Sequence, residues 1–326
     1  MTRTAKILVT LIVMAGIILG AILGVNNARK SGEKLSIVAT NFPAYDFARA
    51  VTGDTADIKM LIKPGAETHD FEPTPQDIID IENSTMFIYT GGESDEWIEG
   101  ILEDIDTDKT KLIKMMEVVD VVEEETVEGM EGEDDGPHDD NEDQNGLEKA
   151  PEYDEHVWTS LKNAIKIVDF IKDELIKISP KYEKTFSDNA NYYTNRLSEI
   201  DRNFQDVAEH SARKTLVFAD RFPLRYFVDE YGLDYYAAFP GCSEQTEASS
   251  KTVAFLIDTV KNNQIPAVFK IELSNGKLAE SIASETGAKV LEFQSGHNIS
   301  LDEFTSGVTY ADLMENNLSV VKEALN

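Results

Sequence analysis

Short apolar runs alternate with segments of helical periodicity along most of the chain from Leu35 onward. This alternation is typical of α/β units built on parallel sheets. In the first half it predicts strand, helix, strand, helix and strand at residues 36–40, 43–51, 58–62, 75–82 and 86–89. In the second half it predicts strands at residues 216–219, 235–239, 267–271 and 289–293, with helices at 246–261, 276–285 and 310–324. Two α/β lobes are therefore expected.

A regular apolar stripe lies between these two halves. Its members recur every three or four residues, as on one face of a helix: Tyr182, Phe186, Ala190, Tyr193, Leu197, Ile200, Phe204 and Val207. We expect one long spine helix at residues 181–210, between an N-terminal lobe at 35–180 and a C-terminal lobe at 211–326. A dimeric coiled coil is the alternative, although zippers use Leu and Ile where this stripe has aromatic residues and Ala. The predicted fold class is α/β, with two lobes, each a small mostly parallel sheet flanked by helices, joined by the spine.

Residues 1–34 differ from this pattern. An uncharged apolar run of 19 residues extends from Ile7 to Val25 and follows the basic residues Arg3 and Lys6. As a helix it is about 28 Å long and can just span a bilayer, and its basic flank places the N-terminus in the cytoplasm. The segment is therefore an uncleaved membrane anchor or a cleaved export signal, and the body of the protein is extracytoplasmic. The sole Cys is Cys242, so a lipid-anchored lipoprotein is not expected.

Negative charge is concentrated in one segment. The 326 residues carry 30 Lys or Arg against 61 Asp or Glu, a net charge of −31, which argues against binding nucleic acid through the surface as a whole. Residues 117–155 hold 18 Asp or Glu and a single basic residue, Lys149. Because apolar residues are almost absent after Val127, this segment is predicted to be a disordered acidic loop. It is either a solvated insertion or a weak collector of divalent cations, with help from His138.

Two histidines stand beside carboxylates at positions suited to ligand binding. His69 lies in a Pro-rich loop between a predicted strand and a predicted helix, where open α/β sheets bind ligands. His156 lies where the acidic loop ends and a helix begins. A single His in a loop is commonly a surface or capping residue. Alternatively, Asp70 and Glu72 beside the first His, and Asp154 beside the second, orient the imidazoles toward a metal.

The two segments read Pro-Gly-Ala-Glu-Thr-His-Asp-Phe-Glu-Pro and Asp-Glu-His-Val-Trp. Together they resemble the cluster A-I solute-binding proteins, the zinc and manganese receptors of bacterial ABC importers. That family has its first ligand in a Pro-Gly…His-Asp/Glu-Tyr/Phe-Glu-Pro segment and its second in Asp-Pro-His-x-Trp. The resemblance covers nearly all of residues 35–326 and includes a long helix between the lobes and a His-rich or acidic loop before the second His. Further shared stretches lie at residues 41–46, 89–92, 231–233, 244–249, 277–280, 285–290 and 309–318.

The resemblance implies a metal site with four ligand positions. His69 and His156 match the first two. At the third, where the family has His or Glu, Ala219 lies nearest and cannot bind a metal. The adjacent Asp220 is then the candidate, with water or a salt-bridged role for this carboxylate as alternatives. At the fourth, where the family usually has Asp, His297 is a natural substitute, and three imidazoles with one carboxylate or water suit Zn²⁺ better than Mn²⁺.

The same resemblance implies the function. It predicts a monomeric extracytoplasmic receptor, tethered or secreted, that captures a divalent metal between two lobes and delivers it to the membrane permease of an ABC importer. A surface adhesin, or a receptor with a degraded metal site, is the main alternative. A zinc hydrolase is less expected, because the sequence contains no His-Glu-x-x-His helix, no Gly-x-Ser-x-Gly elbow and no phosphate loop.

Overall fold

The computed structural model describes residues 34–66, 71–103, 105–130, 152–243 and 247–326. The strands within these ranges are β1 Leu35–Ala39, β2 Ala56–Met60, β3 Met86–Tyr89, β4 Lys111–Lys114, β5 Thr215–Phe222, β6 Asp234–Pro240, β7 Ala267–Ile271 and β8 Lys289–Phe293. They form two sheets, with strand orders β2-β1-β3-β4 and β6-β5-β7-β8. Every pairing between these strands is parallel. The predicted α/β fold class with two small sheets is confirmed.

Helices flank both sheets. Those in the described residues are α1 Phe42–Thr52, α2 Pro75–Glu82, α3 Glu96–Leu102, α4 Leu161–Ile178, α5 Glu183–His210, α6 Arg225–Tyr231, α7 Ser250–Asn262, α8 Lys277–Thr286, α9 Leu301–Ser306 and α10 Tyr310–Leu325. Several begin where the sequence supplies a cap. Thr74 and Asp77 form a capping box at the start of α2, and Thr309 and Asp312 form another at α10, which satisfies backbone N–H groups that have no helical partner.

The spine helix predicted from the apolar stripe is α5, which has 28 residues. It packs against α1 and α4 of the N-terminal lobe and against α6 and α10 of the C-terminal lobe. Residues of the stripe such as Phe186, Leu197 and Phe204 are buried in a core that includes residues of both sheets. The stripe is therefore covered by the chain itself, and one continuous apolar core holds both lobes to the spine.

Asp46 joins three elements at the centre of this core. Its side chain is fully buried and accepts hydrogen bonds from Tyr193 Oη of the spine (2.6 Å) and from the backbone N of Tyr310 at the start of α10 (2.8 Å). Arg49, one turn later on α1, donates from Nε to the same carboxylate (2.9 Å). Because a buried carboxylate is stable only when it is paired and hydrogen-bonded, these contacts fix α1, α5 and α10 relative to one another.

The acidic segment differs from its prediction at both ends. Residues 117–130 and 152–155 have defined positions, and Glu123 and Tyr153 form an antiparallel bridge that closes the base of the segment. The prediction of a disordered loop over 117–155 is therefore wrong for these ends. The reason is that the valines before residue 128 pack against the main core, which offsets the entropy of ordering. Residues 131–151, which include His138, lie outside the described residues.

The start of the acidic segment also reaches the C-terminal lobe. The Glu124 carboxylate accepts a hydrogen bond from the backbone N of Gly241, which follows β6 (2.9 Å). Gly129 has φ +84°, and a Cβ there would lie 2.0 Å from the ring of Phe255 on α7. The segment is thus held against both lobes beside the cleft between them.

None of the described helices combines the length and apolar character needed to cross a membrane. Residues 1–33, which contain almost all of the predicted anchor or signal, lie outside the described residues.

Candidate metal centre

Loops at the carboxyl ends of strands from both sheets meet in the cleft between the lobes. Phe42 N, after β1, donates to His297 O, after β8 (3.5 Å), and Gly65 N, after β2, donates to Ile299 O (2.7 Å). A cavity of about 30 Å³ lies at this junction, which is room for an ion or a water molecule. Apolar residues and glycine form part of its lining, and the polar lining residues are His156, Arg221, Glu272, Ser295, His297 and Asn298.

His156 is held by the residue two positions before it. The Asp154 carboxylate accepts a hydrogen bond from the backbone N of His156 (2.7 Å) and faces its Nδ1 (3.1 Å), and both side chains are buried. Burial by itself lowers the pKa of this imidazole, but the carboxylate of Asp154, with Glu155 and Glu124, outweighs that effect and raises the pKa. A neutral ring that donates from Nδ1 carries its lone pair on Nε2, which is the usual arrangement of a metal-binding His.

His297 is positioned by a buried carboxylate from the neighbouring strand. Glu272 follows β7 and accepts hydrogen bonds from the backbone N of Ser295 (2.7 Å), from its hydroxyl (2.5 Å) and from the backbone N of His297 (3.1 Å). Burial raises the pKa of Glu272, and these donors partly offset the effect. Gly296 between the two donors has φ +75°, a conformation that glycine adopts without strain. The loop after β8 is therefore wrapped around one carboxylate.

The two imidazoles approach each other across the cleft. Their ring centroids are 5.2 Å apart, with the planes nearly perpendicular. Trp158 packs against both rings, and its Nε1 donates to Ser295 O (2.9 Å). Tyr310 Oη in turn donates to Trp158 O (2.5 Å). The His156 and His297 segments are thus fixed by the same two aromatic residues.

A third donor lies beside the two histidines. One oxygen of Glu155 and one ring nitrogen each of His156 and His297 all lie within 4.8 Å of one another, and the three side chains are buried. Two imidazoles and a carboxylate form a donor set typical of zinc sites.

The first predicted ligand, His69, and its neighbour Asp70 lie outside the described residues. The residues just before them are tied to the His297 loop, because Asn298 Nδ2 donates to Lys63 O (2.9 Å) and to Ala66 O (2.8 Å). The chain therefore enters the His69 segment at the edge of the cavity. Glu72, after the segment, is exposed.

Asp220 has a different environment from the two histidines. Its carboxylate accepts hydrogen bonds from the backbone N of Arg221 (2.9 Å) and of Ile271 (3.4 Å), and it faces a neighbouring depression of about 360 Å³. Of the residues at the end of β5, Arg221 rather than Asp220 lines the cavity with His156 and His297. The role of Asp220 as a metal ligand remains a prediction, and these contacts do not favour it.

Sequence reasoning missed three residues of the site: Glu155, Glu272 and Asn298. For Glu155 a signal was present, because it stands where the motif of the resembling family has Pro. Glu272 follows a predicted strand, and Asn298 follows the candidate ligand His297. Their hydrogen bonds, however, join segments more than 20 residues apart in the sequence. Only the folded chain brings those segments together.

Residues 37–324 match the family model described as zinc-uptake complex component A, periplasmic (ZnuA). The chain belongs to this family. The resemblance inferred from the two His segments is therefore confirmed, and it extends over both lobes and the spine of this ZnuA-family chain.

Curated relatives carry zinc in their names. The zinc-binding lipoprotein AdcA of Streptococcus pneumoniae (strain ATCC BAA-255 / R6) is 29% identical over 298 residues, which cover 91% of this chain and 57% of that protein. The high-affinity zinc uptake system protein ZnuA of Bacillus subtilis (strain 168) is 27% identical over 307 residues, covering 92% of this chain and 90% of that protein. The chain thus spans a little over half the length of its AdcA relatives.

Solved structures share the architecture. The Zn(II)-bound ZnuA-like domain of Streptococcus pneumoniae AdcA has a TM-score of 0.72 and 28% identity, covering 90% of this chain and 99% of that one. The metal-dependent lipoprotein YcdH from Bacillus subtilis has a TM-score of 0.74 and 26% identity, covering 90% and 100%. A laminin-binding protein (Lmb) of Streptococcus agalactiae, 22% identical with a TM-score of 0.70, shares the fold.

Proposed function

We propose that this chain is the extracytoplasmic receptor of an ABC importer, which captures Zn²⁺ in the cleft between its lobes and delivers it to the membrane permease. The observation that carries the proposal is the pair of buried imidazoles, His156 and His297, whose rings lie 5.2 Å apart in a cavity between the lobes of a ZnuA-family fold. The proposed ligands are His69, His156 and His297 with one oxygen donor. A site rich in imidazole selects Zn²⁺ over Mn²⁺, which prefers more oxygen ligands.

The shape of the site supports capture rather than turnover. The cavity beside His156 and His297 is small, about 30 Å³, which is room for an ion. Its donors are fixed by Asp154, Glu272 and Trp158, and rigid, desolvated ligands favour tight binding. These features support a receptor over a zinc hydrolase, and the buried donors support it over an adhesin with a degraded site.

The location of the receptor follows from its sequence. The apolar run from Ile7 to Val25 either tethers the chain to the cytoplasmic membrane or is removed after export. The apolar stripe of the spine is covered by the chain's own two lobes, which supports a monomer over the dimeric coiled coil. The partners of the receptor are then the metal ion, the permease and, through the N-terminal segment, the membrane.

Equilibrium dialysis of the purified chain against Zn²⁺ and Mn²⁺, followed by metal analysis, tests the proposed function. We expect about one Zn²⁺ per chain at micromolar total metal, and weaker retention of Mn²⁺. A chain that retains neither metal under these conditions is not a receptor of this kind.

Asn298→Ala is expected to lower the affinity for Zn²⁺ by about tenfold. The substitution removes two hydrogen bonds from a buried amide to Lys63 O and Ala66 O, so the backbone leading to His69 is held less firmly against the His297 loop. Outer contacts of this kind typically change metal affinity ten- to 100-fold. Competition with a zinc chelator measures the change.

Asn263→Ala is the matched control, because its amide also donates to a backbone carbonyl (Thr259 O, 2.9 Å), but at the end of α7. At roughly 1 kcal/mol for each hydrogen bond removed, Asn298→Ala is expected to lose about 2 kcal/mol of unfolding free energy and Asn263→Ala about 1 kcal/mol. A loss of zinc affinity in Asn298→Ala alone therefore isolates the effect on the site. Equal zinc affinities for the two variants would show that Asn298 does not position the His69 loop.

A further inference from the structure

Glu155 occupies an unusual position for a carboxylate. It lies between the buried Asp154 and His156, and its own residue is only 1% exposed. An ionised carboxylate in such a place is strongly disfavoured unless it is paired, hydrogen-bonded or bound to a metal. In the described residues its hydrogen-bond partner is Ser94, which donates from its backbone N (3.0 Å) and from its hydroxyl.

The loop after β3 is shaped around this side chain. A Cβ on Gly92 would lie 2.4 Å from Glu155 Oε2 and 2.5 Å from Glu155 Cβ. Gly92 has φ −146°, so the backbone there would accept any residue, and it is the lack of space that requires glycine. Gly92 thus leaves space for the Glu155 side chain, and Ser94 holds its carboxylate beside the two histidines.

The distances fit metal coordination. One oxygen of Glu155 lies within 4.8 Å of a ring nitrogen of His156 and of His297. Two donor atoms bound to one tetrahedral zinc ion are about 3.4 Å apart. Any two of these three donor atoms therefore have to move closer by at most about 1.4 Å to bind the same ion.

We propose that Glu155 is a metal ligand of this chain and supplies the carboxylate expected from Asp220. The inference rests on the proposed zinc-receptor function and names the oxygen donor that the function leaves open. In the described residues the site then contains His156, His297 and Glu155. A carboxylate bound to the ion offsets half the charge of Zn²⁺, which a neutral imidazole ligand does not.

Glu155→Gln in the full chain tests the proposal. The amide has the same shape and can still accept a hydrogen bond from Ser94, but it is uncharged and a poor zinc ligand. We expect the zinc dissociation constant to rise at least about 30-fold, and the visible absorption of bound Co²⁺ to change because one ligand is replaced by water. Asp220→Asn tests the competing candidate ligand, and under this proposal it should leave both the affinity and the cobalt spectrum unchanged.

Two further variants distinguish ligation from a purely structural role. Ser94→Ala removes the hydroxyl that donates to Glu155 but keeps the backbone N donor and every metal donor, and should leave the cobalt spectrum as in the unsubstituted chain. Gly92→Ala displaces the carboxylate without altering any donor, and should weaken zinc binding as Glu155→Gln does. If Glu155 only held the loop, Glu155→Gln and Ser94→Ala would lower the melting temperature alike and leave the spectrum unchanged, which overturns the proposal.

The outcome for the unsubstituted chain separates this inference from the proposed function. If it binds zinc and Glu155→Gln binds equally well, Glu155 is not a ligand and the receptor function stands. The same conclusion follows if Asp220→Asn, rather than Glu155→Gln, loses affinity. If the unsubstituted chain binds no zinc, the proposed function fails first.

Discussion

His156→Ala is expected to lower the zinc affinity of this chain by more than 100-fold. His156 is fully buried beside the cavity, and Asp154 fixes its ring through the backbone N and Nδ1. Loss of an outer contact to a metal ligand typically costs ten- to 100-fold in affinity, so loss of the ligand itself should cost more. Isothermal titration calorimetry with a competing chelator measures the difference.

Chemical rescue sharpens this test. The substitution leaves an imidazole-sized space next to His297, so added imidazole should restore part of the zinc affinity. His210→Ala is the control, because this His is largely exposed at the end of the spine and contacts only Asp206 among the described residues. We expect His210→Ala to bind zinc as the unsubstituted chain does. Unchanged affinity in His156→Ala would remove the central residue of the proposed site.

Asp46→Ala is expected to destabilise the fold by about 3 kcal/mol. The carboxylate accepts hydrogen bonds from Tyr193 Oη and Tyr310 N and pairs with Arg49, whose side chain is 28% exposed. Its removal leaves a buried hydroxyl and a buried backbone N–H without an acceptor, at about 1–3 kcal/mol each before relaxation. It also leaves the guanidinium group without its anion, which is costly for a partly buried ion pair. Urea denaturation of the metal-free chain measures the change in unfolding free energy.

Asp57→Ala is the matched control for charge. Asp57 is paired with Lys34, but its side chain is 78% exposed, and exposed ion pairs contribute less than about 1 kcal/mol. We expect its unfolding free energy to stay within about 0.5 kcal/mol of that of the unsubstituted chain. A similar small effect for Asp46→Ala would mean that the aromatic core, and not this carboxylate, holds the two lobes together.

Most of the fold could be predicted because it depends on local patterns. The apolar stripe at three- and four-residue spacing predicted the spine, which is α5. The strand at Lys111–Lys114 was missed, since its two apolar residues are flanked by lysines and it forms the edge of its sheet. The helix Arg225–Tyr231 was missed as well, because seven residues are too few to show a period.

The acidic segment shows where composition misleads. Its charge predicted disorder over residues 117–155, yet its first 14 residues are placed against both lobes. Their valines and Gly129 find partners on elements that lie far away in the sequence. Composition describes the chance that a segment orders by itself, and it contains no information on a surface supplied by another part of the chain.

The sequence by itself determined the family, the two-lobe α/β fold and the histidine segments, because each depends on a short motif or a local period. Tertiary structure decided which carboxylate lies beside the histidines. The pairing of β5 with β6 shifts register between Phe218 and Arg221, and a shift of one residue turns every following side chain to the other face. Beyond this irregularity Arg221 lines both the cavity and the neighbouring depression, whereas Asp220 lines the depression and not the cavity. Glu155, held by Ser94 from another loop, lies next to His156 and His297.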